Sequence, residues 1–334
     1  MIDAHVHVLP GDPEPLLHRL AAFGAGQFNA LGVPALWGED NNLRCLRMKR
    51  LYPGQAWAFG GLHWNGRHCP HPERQLELML QAGFDGLKLL ETKPNLQKQL
   101  GFLPDDPAFE AMFALAEEKA VPILWHAGDP APFWHLDQAP DFAVENGWTY
   151  EEEGFLSLEE IYRHTEAVLS RHKKLKVILA HLYFCSDDRE HLERLLESCP
   201  HVSIDITPGS EMYRSFALDR SGWEAFFQKY AGRILLGSDM TNEPENDAWP
   251  SISALTRGIL KHEPFQIWDV QMTGFRLTAA QYRAITGGNF TRLAGRSPKP
   301  VDPEGLRQLM GFYGENLSAR QQAACRKSYE EWFA

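Results

Sequence analysis

The pattern richest in chemistry is His5-Val6-His7, followed far along the chain by His126, His181 and Asp239. In an extended strand alternate residues point to one side, so His5 and His7 share a face, with Ile2, Ala4, Val6 and Val8 expected on the other. Two imidazoles on one buried strand, taken alone, read as hydrogen-bonded core histidines. These two have company. Trp125-His126-Ala127-Gly128, Ala180-His181 and Leu236-Gly237-Ser238-Asp239 each end an apolar run, which puts each polar group at the carboxyl end of a strand. Neutral imidazole and carboxylate suit zinc or a similar divalent ion, and an open coordination position separates a catalytic centre from a structural one. The metal reading is preferred on this convergence.

Further residues sit at strand ends or in the loops that follow them. His63, Trp64, Arg67, Trp134, Tyr183 and Asp205 are expected as substrate contacts. Arg67 matters most among them, because a guanidinium at the mouth can hold a carboxylate in a two-point fork. The plainer alternative is that Trp64 and Trp134 pack the loops. Lys88 lies in the fourth run, where an inert core role would be costly for an ammonium.

Eight short apolar runs carry these groups, over residues 2–8, 30–36, 56–62, 86–90, 121–126, 176–184, 202–206 and 233–237. Their near-continuous apolarity points to parallel strands buried on both faces. Helical stretches lie between them. Asp106-Pro107 opens one, and Ser157 with Glu160, Ser221 with Glu224 and Thr278 with Gln281 have capping-box spacing. Strand–helix alternation repeated eight times is an α/β fold, most economically a (β/α)8 TIM barrel, whose enzymes build their sites at the carboxyl mouth. The 55 residues from His126 to His181 exceed one strand–helix unit, so residues 129–154 are expected as a long functional loop after strand five. Residues 1–296 form the barrel in this reading. Residues 297–334 form an appended C-terminal helical element packed on the barrel or on a partner.

The order His5-x-His7, His126, His181, Asp239 on strands one, five, six and eight resembles the amidohydrolase superfamily. Ile2-Asp3-Ala4-His5-Val6-His7, Gly86-Leu87-Lys88-Leu89-Leu90, Pro122-Ile123-Leu124-Trp125-His126-Ala127-Gly128, Gly237-Ser238-Asp239 and Gly287-Gly288-Asn289-Phe290-Thr291-Arg292-Leu293 resemble its amidohydrolase-related branch, which includes the aminocarboxymuconate-semialdehyde decarboxylases. The resemblance implies that His5, His7, His126 and Asp239 hold one divalent metal, zinc for preference. His181 then stands beside the water as proton shuttle or substrate polariser, and Asp239 relays the proton. It also implies an alternative in which a carboxylated Lys88, with His126 and His181, holds a second metal. One metal is preferred, with Lys88 meeting a substrate carboxylate or an acid.

The leading expectation is a metal-dependent hydrolase in which activated water attacks a small carbon-based ester, lactone or amide. The alternative is a nonoxidative decarboxylase or hydratase acting on an unsaturated or aromatic carboxylic acid. A barrel that binds metal only for stability is disfavoured, since a structural site closes its coordination sphere. Composition narrows the field. With 33 Lys+Arg against 44 Asp+Glu in 334 residues the chain carries a formal charge of −11, which excludes a phosphate-tracking nucleic-acid protein or a binder of anionic membranes. Five cysteines without a Cys-x-x-Cys pair point to a reducing compartment, and no apolar run approaches the roughly 18 residues of a membrane span. A cytoplasmic homo-oligomer acting on a small molecule is expected.

Overall fold

The computed structural model describes residues 1–243, 256–267 and 270–333. Strands β1 (Ile2–His7), β2 (Gln27–Leu31), β3 (Ala56–Gly61), β4 (Gly86–Thr92), β5 (Pro122–Ala127), β6 (Lys176–Leu179), β7 (Val202–Asp205) and β8 (Ile234–Leu235) form one sheet in sequential order. Every pairing between neighbours is parallel. The seam is joined by Ala4 N donating to Leu236 O at 2.9 Å, Asp239 N to His5 O at 2.8 Å and His7 N to Met240 O at 2.8 Å. The result is the (β/α)8 TIM barrel expected of the alternating pattern.

Two apolar layers build it. Leu31, Trp57, Phe59, Leu124, Ile178 and Leu235 fill the interior, with Phe290 and Leu293 of the helix Asn289–Ala294 packed among them. A larger cluster fills the space between sheet and helices. The first strand departs from simple alternation. Ile2 and Ala4 belong to the interior cluster, Val6 and Val8 to the outer one, so the four do not share a face. The β1–β2 register shifts between Asp3 and Val6. An extra residue there switches the parity of the strand, the usual way a bulge re-aims a side chain.

Three runs end sooner than their apolarity suggests. Residues 33–36 leave the sheet because Pro34, which has no N–H to donate, opens the helical turn Pro34–Trp37. The run 176–184 is strand only to Leu179, and the last run pairs only at Ile234–Leu235. Ser157/Glu160 and Thr278/Gln281 form capping boxes, whereas Ser221 lies inside the helix Arg220–Tyr230, which Asp219 caps through Gly222 N. The long loop after β5 carries two short helices, Ala131–Trp134 and Asp141–Glu145, and its own small core of Phe133, Ala143 and Tyr150.

The C-terminal helices Pro303–Asn316 and Ala319–Trp332 pack on the barrel helices Pro72–Ala82 and Asn41–Leu51. Gln321 Nε2 donates to Glu39 Oε2 at 2.9 Å and Ser328 Oγ to Asp40 Oδ2 at 2.7 Å, so the second helix holds the loop that follows β2. No helix among the described residues is long and apolar enough to cross a membrane.

Candidate metal centre

The bulge and the seam together bring β1 and the end of β8 to one point. His7 Nε2 lies 3.0 Å and His5 Nε2 3.4 Å from Asp239 Oδ1, and His5, His7 and Asp239 offer three ligand atoms within 4.8 Å of one another. Gly237 makes the approach feasible, since a Cβ there would stand 2.9 Å from His5 Cβ and 2.5 Å from Thr207 Oγ1. The two imidazoles are buried, while the Asp239 side chain is 36% exposed and faces the mouth. Burial lowers His5 and takes His7 down to about 4. Burial would raise Asp239, but His5 and His7 beside it outweigh this and keep its carboxyl well below the usual range. Neutral imidazoles with an ionised carboxylate are the protonation states a divalent cation requires, so the donor set fits one.

Behind His5 stands Asp205. Its Oδ2 lies 2.9 Å from His5 Nδ1, and its Oδ1 accepts from His181 N at 2.8 Å and Thr207 N at 3.1 Å. With no exposed surface and both oxygens engaged, Asp205 is turned to His5 and not to open space, the placement of a carboxylate behind a ligand imidazole. Burial would raise its carboxyl, and His5 outweighs that and holds it low. Lys88 Nζ lies 3.5 Å from His5 Nε2, and burial lowers its ammonium to about 8.

His181 opens an unusual turn. His181, Leu182, Tyr183 and Phe184 all have left-handed φ, between 54° and 59°, with no glycine among them. Such residues cost about 1–2 kcal/mol each, a strain that persists only where the surroundings enforce it. Here Tyr162 Oη donates to Tyr183 O at 2.9 Å, Tyr183 N donates to Ala180 O at 2.8 Å, and Asp205 takes the His181 N–H. The turn stacks Phe184 on His181 and sets His181 Nδ1 at 3.2 Å from Thr207 O, which leaves Nε2 for the site.

His126 neighbours His181, with ring centroids 5.0 Å apart, but does not join the close trio. Its Nε2 lies 3.1 Å from Asp129 Oδ1, so Nδ1 is the nitrogen left for a cation. Asp129 also accepts from Lys93 Nζ at 2.5 Å and from Tyr150 Oη, which ties the long loop to His126. Burial would raise Asp129, and Lys93 and His126 overcome it.

The remaining expected substrate contacts are turned elsewhere. His63 is fully buried and bonded through Nε2 to Glu39 O at 2.8 Å, and Tyr183 is buried against Tyr162. Arg67 donates to Lys98 O and Gln99 O at the carbonyl end of the helix Pro94–Leu100, where a cation complements the dipole. Trp64 Nε1 donates to the buried Glu91 at 3.2 Å and Trp134 Nε1 to Leu156 O at 2.9 Å, so both pack loops. Two residues escaped the sequence reading. Asp129 follows His126 by three positions, a spacing that could have drawn notice. Trp37, whose ring centroid lies 3.9 Å from that of His7, left no local signal.

A family model described as Amidohydrolase matches residues 2–296. No curated protein matches the chain. Among solved structures, an uncharacterised TIM-barrel protein from Bordetella bronchiseptica is similar at 14% identity, covering 89% of this chain and 99% of its own, with a TM-score of 0.59. A 4-oxalomesaconate hydratase from Rhodopseudomonas palustris is similar at 14% identity over 94% of this chain and 99% of its own, TM-score 0.55. A protein from Pseudomonas putida named for 2-pyrone-4,6-dicarboxylic acid hydrolysis is similar at 14% identity over 88% and 97%, TM-score 0.52. At these identities the structural likeness speaks for the fold. The family model covers most of the chain, and the chain belongs to the amidohydrolase family.

Proposed function

From that membership we propose that this chain is a metal-dependent hydrolase of a small carbon-based ester, lactone or amide, working with one zinc ion. The observation that carries the reading is the meeting of His5, His7 and Asp239 where only the Asp239 side chain opens to the mouth. His126 would complete the set through Nδ1. A divalent ion bound there supplies a water acidic enough to ionise near neutral pH and polarises a carbonyl.

The protein's own groups handle the protons. Asp239, ionised and facing the mouth, accepts a proton at its carboxylate and hands it to the leaving group. His181 is kept neutral by burial, and its Nδ1–H is committed to Thr207 O. Its Nε2 is therefore an acceptor, which favours the shuttle role over the polariser: a neutral ring in this tautomer takes a proton before it can donate one. Asp205 and Asp129 fix the tautomers of His5 and His126 through Nδ1 and Nε2.

A carbon–carbon lyase would need a cationic anchor for its carboxylated substrate. Arg67, the anchor expected for such a carboxylate, is committed to helix carbonyls, which favours hydrolysis. The five free cysteines accord with a cytoplasmic setting. The test is a metal count on the purified protein, followed by turnover of lactones, amides and unsaturated carboxylic acids. One equivalent of zinc with lactone or amide turnover is expected, and His7→Ala should lose the metal while staying folded. Carbon dioxide release from unsaturated or aromatic acids, without ester or amide turnover, would overturn the reading. Two equivalents would favour a carbamate at Lys88.

A further inference from the structure

Beside the metal centre, across a single aromatic ring, lies a cavity of about 280 Å³. Phe184 forms the shared wall. Its ring centroid stands 5.0 Å from His181 and 5.0 Å from His126, and the same side chain lines the cavity. The opposite walls come from the loop after β5, with Pro132, Phe133, Pro140 and Phe142, and from the helix Ser210–Leu218 after β7. All of these follow the carboxyl ends of strands, the face on which barrel enzymes bind substrate.

We propose that this cavity is a substrate subsite for a small uncharged apolar group, a phenyl-sized ring or branched chain, carried next to the bond that is broken. The inference rests on the hydrolase reading and narrows its substrate class. Size supports it: a dry apolar cavity of about 150 Å³ accepts benzene, and this space has room for one substituted ring. Wall chemistry supports it as well. Three phenylalanines and three prolines supply apolar and aromatic surface, while charge is confined to Asp187, Glu211 and Arg214. At pH 8, where Glu211 is ionised as well as Asp187, two carboxylates face one guanidinium, and a second carboxylate on the substrate would meet more acid than base. The substrate is thus neutral or singly charged, unlike the dicarboxylic acid in the name of the Pseudomonas putida neighbour.

The strained turn acquires a purpose in this arrangement. Left-handed φ at Phe184 swings its ring between imidazole and cavity, where it aligns an incoming ring with the reacting centre. Phe142 is 41% exposed, so its truncation spares the core. Ser215 lines the same space on the helix after β7, so a larger side chain there fills it.

The test measures binding without catalysis, on the zinc-loaded protein at pH 8, by ligand-detected NMR titration with benzamide as a neutral ring and phthalate as a dianion. Benzamide is expected to bind at least tenfold more tightly than phthalate, and Phe142→Ala and Ser215→Phe should each weaken it about tenfold. Equal binding of the two probes, no binding of benzamide, or indifference to both variants would overturn the proposal. The hydrolase reading stands or falls separately, on metal content and turnover.

Discussion

Asp205→Asn isolates the role assigned to a carboxylate that never reaches substrate. Oδ1 of Asp205 accepts two backbone N–H groups, from His181 and Thr207, so in the variant the amide carbonyl must keep that place. The NH2 is then forced into the position of Oδ2, 2.9 Å from His5 Nδ1. It donates to Nδ1, which moves the ring proton to Nε2, the nitrogen nearest Asp239 and the one needed for a cation. Loss of such a carboxylate behind a ligand histidine costs about 10–100-fold in metal affinity, or about 1.4–2.8 kcal/mol. Thr207 Oγ1, 3.1 Å from Nδ1, can accept from it in the wild-type tautomer and should hold the loss toward the lower end. The assay is zinc affinity by competition with a chromophoric chelator, with the melting temperature followed in parallel. Zinc affinity within twofold of wild type, in a folded variant, would refute the orienting role.

Other outcomes follow from the same contacts. Trp37→Ala removes the ring packed on His7 and should lower zinc affinity several-fold, with partial recovery in Trp37→Phe; equal affinity in all three proteins would remove Trp37 from the centre. Lys49→Met strands Asp85, whose Oδ2 accepts from Lys49 Nζ at 2.6 Å with both side chains buried, and should cost about 3–5 kcal/mol in urea unfolding. A loss below about 1 kcal/mol would contradict that. Burial pushes the Glu211 carboxyl from 4.5 up to about 7, so the folded chain binds the proton more tightly than the unfolded one. Stability should therefore decline as pH rises from about 4.5 to about 7, by on the order of 1–2 kcal/mol once its partial exposure is allowed for. Glu211→Gln should flatten that decline and be the more stable protein at pH 8, as calorimetry across the range would reveal.

Local pattern carried much of this molecule. Apolar runs that end in His126, His181 and Asp239 announced parallel strands with polar tips, because continuous burial and strand parity are properties of short segments. The histidines on β1 were legible as a pair for the same reason, and so were the capping boxes at Ser157 and Thr278. Partnerships between distant segments were not. Whether Asp205 met substrate or His5 depended on closure of a barrel that brings together residues 200 positions apart. His63 was taken up by the loop after β2, and Arg67 by helix carbonyls, because buried or nearby acceptors had to be satisfied and these groups were in reach. The bulge between Asp3 and Val6 and the left-handed turn at 181–184 have no signature in residue type, since both arise from constraints that only the assembled sheet imposes. Composition and order thus specified the barrel and the polar groups at its rim, and tertiary packing selected which of them converge and which nitrogen each imidazole presents.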